Sequence, residues 1–171
     1  MALEIRFPLL QIVGYQNSGK TTLVEKIVKK GTEQGIKIAT IKHHGHQKSL
    51  ENLHQEKDSA RHFKAGASAT IVEGGGSLQL EAKTTGWTLE KLIQLYAFFE
   101  NDMILIEGFK TADYPKIVLI KNENDIELLN TLTNIMAVIS WIPIQTNFRV
   151  FHINEEEKYL HWIFNSEVDN E

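Results

Sequence analysis

Eight residues near the start of the sequence have the types and spacing of a phosphate-binding loop. The segment from Gly14 to Thr21 reads GYQNSGKT and fits the pattern G-x-x-x-x-G-K-[ST] at every fixed position. The glycines of such a loop allow backbone torsions that point successive N–H groups at an anion. Lys20 would reach the β and γ phosphates, and the Thr21 hydroxyl would ligate Mg²⁺. The pattern therefore predicts binding of a nucleoside triphosphate together with Mg²⁺.

The sequence on either side of this loop has the elements that the loop requires. The apolar run Leu9–Val13 predicts a buried strand, and apolar residues recur with helical spacing from Lys20 onward. The N-terminus of that helix would add its dipole to the anion site. We expect the nucleotide to be bound by Gly14, Gln16, Asn17, Ser18, Gly19, Lys20, Thr21 and Thr22.

A carboxylate at the end of a second buried strand would complete the site. Met103–Ile106 is a continuous apolar run, and Glu107 follows it directly. In a parallel sheet the ligand crevice lies at the carboxyl ends of the strands. Glu107 is therefore preferred over Asp102, which precedes the strand. We predict that Glu107 and Thr21 hold the metal ion, and that Lys20 and Glu107 are the catalytic residues.

Basic residues near the same edge would widen the anion site. Lys42 and His43 follow a second predicted strand, Ile36–Ile41, while Gly108 and Lys110 follow the predicted acidic ligand. We expect these four residues to contact the nucleotide, Gly108 by letting the backbone pass close to the phosphate. Three roles stay open for the histidines, which are metal ligation, contact with an anion, or no role in binding. The cluster comprises His43, His44, His46 and His54.

The composition excludes several other kinds of site. The chain of 171 residues has no cysteine, which rules out disulfides, thiolate metal sites, iron–sulfur clusters and a cysteine nucleophile. A formal net charge of −4 argues against nucleic acid as a partner. Apolar runs fall far short of the ~20 residues of a membrane-spanning helix, and no export signal is visible. We therefore expect a cytoplasmic protein without a membrane partner.

Buried strands alternating with helices predict the α/β class. The other predicted strands lie at 117–120, 135–139 and 150–153, and the other predicted helices at 58–66, 88–99, 125–132 and 155–164. We expect a mostly parallel sheet with helices on both faces, as in P-loop NTPases. Alternation at Leu78, Leu80 and Ala82 after three glycines adds a β-hairpin. Residues 1–171 would form one nucleotide-binding domain, with an insertion at about residues 43–85.

Several short motifs occur in an order that resembles one known family. After the phosphate loop come Ile41-Lys42-His43-His44, Lys57-Asp58-Ser59, Leu105-Ile106-Glu107-Gly108-Phe109-Lys110 and Pro115-Lys116-Ile117. Together, over roughly residues 9 to 140, they are similar to the molybdopterin-guanine dinucleotide biosynthesis protein B family, MobB. The phosphate loop alone is shared by many families, whereas the Glu-Gly-Phe-Lys and Pro-Lys-Ile motifs are much more specific.

The resemblance implies a GTP-binding protein with weak GTPase activity. It would assist the MobA-type guanylyltransferase that joins GMP to molybdopterin in molybdenum cofactor biosynthesis, and molybdopterin itself is a further candidate ligand. The family also implies a homodimer, with the hairpin near Ser77–Lys83 as an exchange surface. By position, Gly14–Thr22 would bind the GTP phosphates and Mg²⁺, and Glu107 would serve the metal ion.

The residues alone leave the base and the reaction open. The guanine signature Asn-Lys-x-Asp does not occur, so the motifs do not separate GTP from ATP. A small-molecule kinase and a nucleotide-gated metallochaperone using the histidines are alternative functions on the same fold. Since the sequence offers no certain general base or arginine finger, we expect slow hydrolysis, at about 10⁻⁴ to 10⁻² s⁻¹.

Overall fold

A six-stranded parallel sheet lies at the centre of the fold. The structure is a computed structural model that describes residues 8–44 and 58–165 and divides into two units, of which the larger contains this sheet. The units are Met1–Gly45 with Leu89–Glu171, and His46–Thr88. The strands are β1 (Leu9–Val13), β2 (Ile38–Lys42), β3 (Ala69–Gly74), β4 (Ser77–Ala82), β5 (Met103–Glu107), β6 (Lys116–Ile120), β7 (Ile135–Ser140) and β8 (Val150–His152). The order in the large sheet is β2-β5-β1-β6-β7-β8, with every neighbouring pair parallel.

Helices cover both faces of this sheet, as the sequence predicts. The helices are α1 (Lys20–Glu33), α2 (Asp58–Lys64), α3 (Leu89–Leu95), α4 (Leu128–Thr131) and α5 (Glu156–Phe164), with 3₁₀ turns at Tyr96–Phe98 and Glu123–Glu127. One core packs α1 and α5 on one face of the sheet. On the other face α4 packs on β6 and β7, and α3 packs on β2 and β5. Within the described residues no helix has both the length and the apolar character that crossing a bilayer requires.

The strand register brings several chain segments to one edge of the sheet. Ile12 lies opposite Glu107 on one side and opposite Ile117 on the other. Lys42, the last residue of β2, also lies opposite Glu107. Because all six strands run in the same direction, the residues that follow each strand meet at a single carboxyl edge.

The smaller unit contains the predicted hairpin. β3 and β4 pair antiparallel from Ala69 opposite Ala82 to Gly74 opposite Ser77. Gly75 and Gly76 have φ values of +59° and +80°, the left-handed torsions that a tight two-residue hairpin turn needs. Because side chains alternate between the two faces of a strand, three apolar side chains lie on one face of the hairpin. Ile71 is 64% exposed, Leu78 52% and Leu80 45%.

Packing moves some boundaries away from those that local sequence predicts. α1 continues through Gly31, where the lack of a side chain allows close packing, since a Cβ there would lie only 2.4 Å from Ile38 Cδ1. β2 begins at Ile38, two residues later than predicted, and Ile36 is buried beforehand in the α1–β2 connection. The predicted helix at 125–132 is a 3₁₀ turn followed by the short α4. Within the predicted insertion at about residues 43–85, residues 45–57 lie outside the described part of the chain.

Candidate functional site

The phosphate loop lies between the carboxyl end of β1 and the N-terminus of α1. Gly19 precedes the first helical residue with a φ of +98°, so the loop turns into the helix through a left-handed torsion that glycine adopts without strain. A pocket of about 470 Å³ opens over the loop. The side chains and backbone that line it belong to Gln16, Asn17, Ser18, Gly19, Lys20, Thr21, Thr22 and Glu107.

The first glycine of the loop leaves space for a buried hydroxyl. A Cβ at Gly14 would lie 2.6 Å from Ser18 Oγ and 3.1 Å from the Leu119 carbonyl oxygen. Ser18 is buried, and its hydroxyl has no hydrogen-bond partner among the residues that the structure describes. A buried hydroxyl in a loop at a helix N-terminus suits an incoming anion, because a phosphate oxygen would accept a hydrogen bond from it.

Three side chains from three elements meet beside the loop. Thr21 Oγ1 donates to Glu107 Oε1 at 2.9 Å, and Lys42 Nζ lies 3.1 Å from that hydroxyl and 3.3 Å from the carboxylate oxygen. Thr21 comes from α1, Lys42 from the end of β2 and Glu107 from the end of β5. A hydroxyl beside a carboxylate is a hard-oxygen donor pair, which fits Mg²⁺ bound also by phosphate and water. The residues present therefore fit the predicted metal ion.

Lys20 lies folded against its own loop. Its Nζ donates to the Tyr15 carbonyl oxygen at 2.6 Å. Burial lowers the pKa of Lys20, an effect that the Glu107 carboxylate opposes and that Lys110 and Lys42 reinforce. The charged ammonium is thus less favourable here than in water, and the charge of a bound phosphate would stabilise it.

The backbone after Glu107 is held by a side chain that the sequence analysis missed. Gln11 is fully buried in β1, and its Nε2 donates to the carbonyl oxygens of Gly108 at 3.1 Å and Phe109 at 2.9 Å. Its Oε1 accepts from the Tyr114 N–H at 3.3 Å. Phe109 has a φ of +52°, which is costly for a residue with a side chain. The Gln11 amide therefore fixes the direction in which the chain leaves Glu107.

Five of the predicted contact residues do not line the pocket, namely Gly14, Lys42, His43, Gly108 and Lys110. The His43 ring packs on the Phe109 ring with 4.4 Å between centroids, and a Cβ at Gly108 would lie 3.0 Å from His43 Cβ. Lys110 Nζ lies 4.2 Å from the centre of the Tyr15 ring, a cation–π contact. Gly108 and Lys110 thus belong to the loop after Glu107, and His43 packs against that loop.

The predicted histidine cluster is only partly described. His43 and His44 follow β2, whereas His46 and His54 lie outside the described residues. Among residues 8–44 and 58–165, no three His, Asp or Glu side chains come together as a metal site.

Two further side chains hold the loop from the other side. Lys121 Nζ donates to the Asn17 carbonyl oxygen at 3.1 Å, and Trp141 Nε1 donates to the Ser18 carbonyl oxygen at 3.2 Å. Both residues directly follow apolar strands, β6 and β7. That position at the carboxyl edge is the signal by which the sequence could have identified them.

Comparisons with known proteins agree with this geometry. The parallel sheet and the loop between β1 and α1 define a P-loop NTPase-like fold. The model of one family, molybdopterin guanine dinucleotide synthesis protein B (MobB), matches residues 9–141. The chain belongs to the MobB family.

Individual relatives match over most of their length. A Bacillus subtilis protein described as a "probable molybdopterin-guanine dinucleotide biosynthesis adapter protein" is 50% identical over 139 residues, which cover 81% of this chain and 79% of that one. The molybdopterin-guanine dinucleotide biosynthesis adapter protein of Haemophilus influenzae is 31% identical, covering 94% and 89%. The crystal structure of Bacillus subtilis MobB has a TM-score of 0.79 at 40% identity, covering 94% of this chain and 100% of that one.

Replacement of Gly14 tests whether the loop depends on the space that this glycine leaves. Gly14→Ala should lower the free energy of unfolding by about 1–3 kcal/mol, because the new Cβ overlaps Ser18 Oγ and presses on a backbone carbonyl. Denaturation with guanidinium chloride measures the loss. Adding Ser18→Ala to the variant should restore part of it, since the closest overlapping atom is removed.

Gly86→Ala is the matched control, because a Cβ at Gly86 meets nothing within 4 Å. A Gly14→Ala protein as stable as the Gly86→Ala protein would show that the loop has room for a side chain at its first position.

Proposed function

We propose that this protein is a GTP-binding adapter in molybdopterin guanine dinucleotide biosynthesis. It would bind GTP with Mg²⁺, hydrolyse it slowly, and assist the MobA-type guanylyltransferase that attaches GMP to molybdopterin. The nucleotide part rests on one observation, the 2.9 Å contact of Thr21 Oγ1 with Glu107 Oε1 beside Lys20. The biosynthetic part rests on the family and on the adapter proteins that it resembles.

Each part of the site has a distinct task in this proposal. The backbone N–H groups from Asn17 to Thr21 and the Ser18 hydroxyl would donate to the phosphate oxygens, and the Lys20 ammonium would neutralise their charge. Thr21 and Glu107 would hold Mg²⁺, which supplies further neutralisation of the charge on the phosphates. Lys42 forms an ion pair with the Glu107 carboxylate at 3.3 Å beside the loop.

The composition of the pocket supports slow hydrolysis. The residues that line it supply one ammonium group and one carboxylate, and that carboxylate already accepts from Thr21 and pairs with Lys42. Because Glu107 already makes these two contacts, its carboxylate is poorly available to activate a water molecule. Rates near the 10⁻⁴ to 10⁻² s⁻¹ of unassisted nucleotide switches, in order of magnitude, fit such a site.

The hairpin supports a homodimer. A two-stranded sheet is only marginally stable by itself and presents two unpaired edges. The face that carries Ile71, Leu78 and Leu80 is largely exposed, so residues 8–44 and 58–165 leave most of its apolar surface uncovered. A second copy of the same hairpin would bury that face and pair an edge.

Loss of the loop lysine tests the nucleotide site. Lys20→Ala should weaken GTP binding by roughly 10- to 100-fold, because a charge-assisted contact with phosphate is lost. Calorimetric titration with GTP and ATP, with and without Mg²⁺, measures this and the preference for a base. Lys29→Ala removes the same charge from the exposed side of α1 and should leave the affinity unchanged.

The same pair of variants tests the adapter role. The wild type and Lys29→Ala should raise the rate at which the purified guanylyltransferase attaches GMP to molybdopterin, whereas Lys20→Ala should raise it much less. Stimulation that is equal for all three proteins would contradict a role for the nucleotide. A preference for ATP in the titration would contradict the assignment of GTP.

Replacement of the acidic ligand tests the metal assignment. Glu107→Gln should raise the Mg²⁺ concentration needed for half-maximal hydrolysis by about tenfold or more, because a ligand is lost. GTP binding without Mg²⁺ should not weaken, since the variant removes a negative charge near the phosphates. Glu100→Gln makes the same change in an exposed ion pair with Lys37 and serves as the control. An unchanged Mg²⁺ requirement in Glu107→Gln would refute the assignment.

A charge on the apolar face of the hairpin tests the dimer. Leu80→Glu should convert the dimer to a monomer, as measured by light scattering after gel filtration, because a carboxylate cannot be buried there without a partner. Gln79→Glu adds the same charge on the opposite face of the same strand and should remain dimeric. Monomeric wild-type protein, or dimeric Leu80→Glu, would contradict the hairpin interface.

A further inference from the structure

The phosphate loop is flanked differently on its two sides. On the β5 side it meets Glu107 and Lys42. On the other side of β1, in the direction of β6 and β7, it meets Lys121 and Trp141, which donate to two consecutive loop carbonyls. One flank therefore has the donors for a metal ion, whereas the other has a cation and an indole.

Trp141 is fixed at both its backbone and its ring. Its N–H donates to the Ile120 carbonyl oxygen at 2.9 Å, and the indole Nε1 donates to Ser18 at 3.2 Å. The buried Ser140 hydroxyl donates to the Ile142 carbonyl oxygen at 2.7 Å and accepts from the Ile142 N–H at 3.2 Å, which closes a tight turn around Trp141. Despite these contacts the residue is 46% exposed.

The indole of Trp141 lies close to Gly19, at the start of α1. A Cβ at Gly19 would lie 3.7 Å from Trp141 Cζ2, within ordinary contact distance. The ring therefore borders the loop at the residue directly before Lys20. A rigid and partly exposed aromatic ring at the rim of a nucleotide pocket offers a surface on which a base can stack.

The position of the metal ligands sets the direction of the nucleotide. In the proposed site the γ-phosphate would lie near Thr21 and Glu107, the residues that would hold the metal ion. The nucleoside would then leave the loop away from β5, towards the ends of β6 and β7. Trp141 directly follows β7 and therefore lies on the side of the loop towards which the nucleoside would extend.

We propose that the exposed surface of the Trp141 indole stacks on the nucleobase and forms the base-binding wall of the site. The inference rests on the proposed nucleotide function and assigns the nucleoside end of the ligand. Stacking accepts either purine, so Trp141 would contribute affinity for GTP and ATP alike and would not discriminate between them.

A comparison of nucleotides with a ligand that lacks the nucleoside tests this assignment. Calorimetry with Mg²⁺ would measure GTP, ATP and inorganic tripolyphosphate binding to the wild type, Trp141→Ala and Trp141→Phe. Trp141→Ala should weaken GTP and ATP binding by roughly tenfold, the loss typical of one stacked base. Tripolyphosphate binding should stay within about twofold of the wild type, and Trp141→Phe should retain most of the nucleotide affinity because it keeps an aromatic ring.

The same titrations would distinguish base stacking from a purely structural role, in which Trp141 only holds the loop through its hydrogen bond to Ser18. If the indole N–H only held Ser18, both variants would weaken tripolyphosphate and GTP binding equally, and that result would overturn the proposal. Unchanged GTP binding in Trp141→Ala would overturn it as well. Trp87→Ala, which removes an exposed tryptophan of the smaller unit, is the control and should bind like the wild type.

The wild-type titrations distinguish this inference from the function on which it rests. Wild-type protein that binds neither GTP nor tripolyphosphate would refute the nucleotide site, and the stacking with it. Wild-type protein that binds tripolyphosphate as tightly as GTP would leave the phosphate site standing and refute the stacking alone.

Discussion

The hydrogen-bonded pairing of β1 with β5 decides where the chemical groups of this protein meet. With Ile12 opposite Glu107, the chain enters the phosphate loop beside the point where the acidic side chain leaves the sheet. A slip of one residue would turn Glu107 to the other face of β5. The contacts of Thr21 and Lys42 with this carboxylate, at 2.9 and 3.3 Å, both depend on that register.

Electrostatics around the loop would allow this acidic chain to hold the polyphosphate of the proposed nucleotide. The net charge is −4, but Lys20 and Lys42 lie within one small region together with a single carboxylate. Burial lowers the pKa of Lys20, so its charge is held at a cost in free energy that an anion would relieve. The positive field is therefore local, supplied by the lysines and the loop N–H groups, and requires no basic surface.

The parts of the site that sequence predicts are those set by local pattern. The loop motif and the acidic residue after an apolar strand are visible in short windows, and the structure brings both to one pocket. Gln11 is different, because its amide partners lie about a hundred residues later, and one polar residue in an apolar strand does not identify them. Lys116, in the Pro-Lys-Ile motif, is buried with Nζ donating to the carbonyl oxygens of Ala112 and Thr133. These hydrogen bonds tie the start of β6 to two neighbouring chain segments, a structural role that the motif alone does not separate from binding.

The pocket is lined by only one ammonium group and one carboxylate among the described residues, and the slow hydrolysis expected from it bears on the proposed adapter role. At about 10⁻⁴ to 10⁻² s⁻¹, a bound GTP would survive for roughly minutes to hours before hydrolysis. A partner that meets the protein within that time would find the nucleotide-bound form, provided that release is also slow. The site would then act chiefly to retain GTP next to the loop after Glu107, which Gln11 ties directly to β1. In the proposed adapter role, a long-lived bound state would be more useful than rapid turnover, because the partner would recognise the nucleotide-bound protein and not the product of hydrolysis.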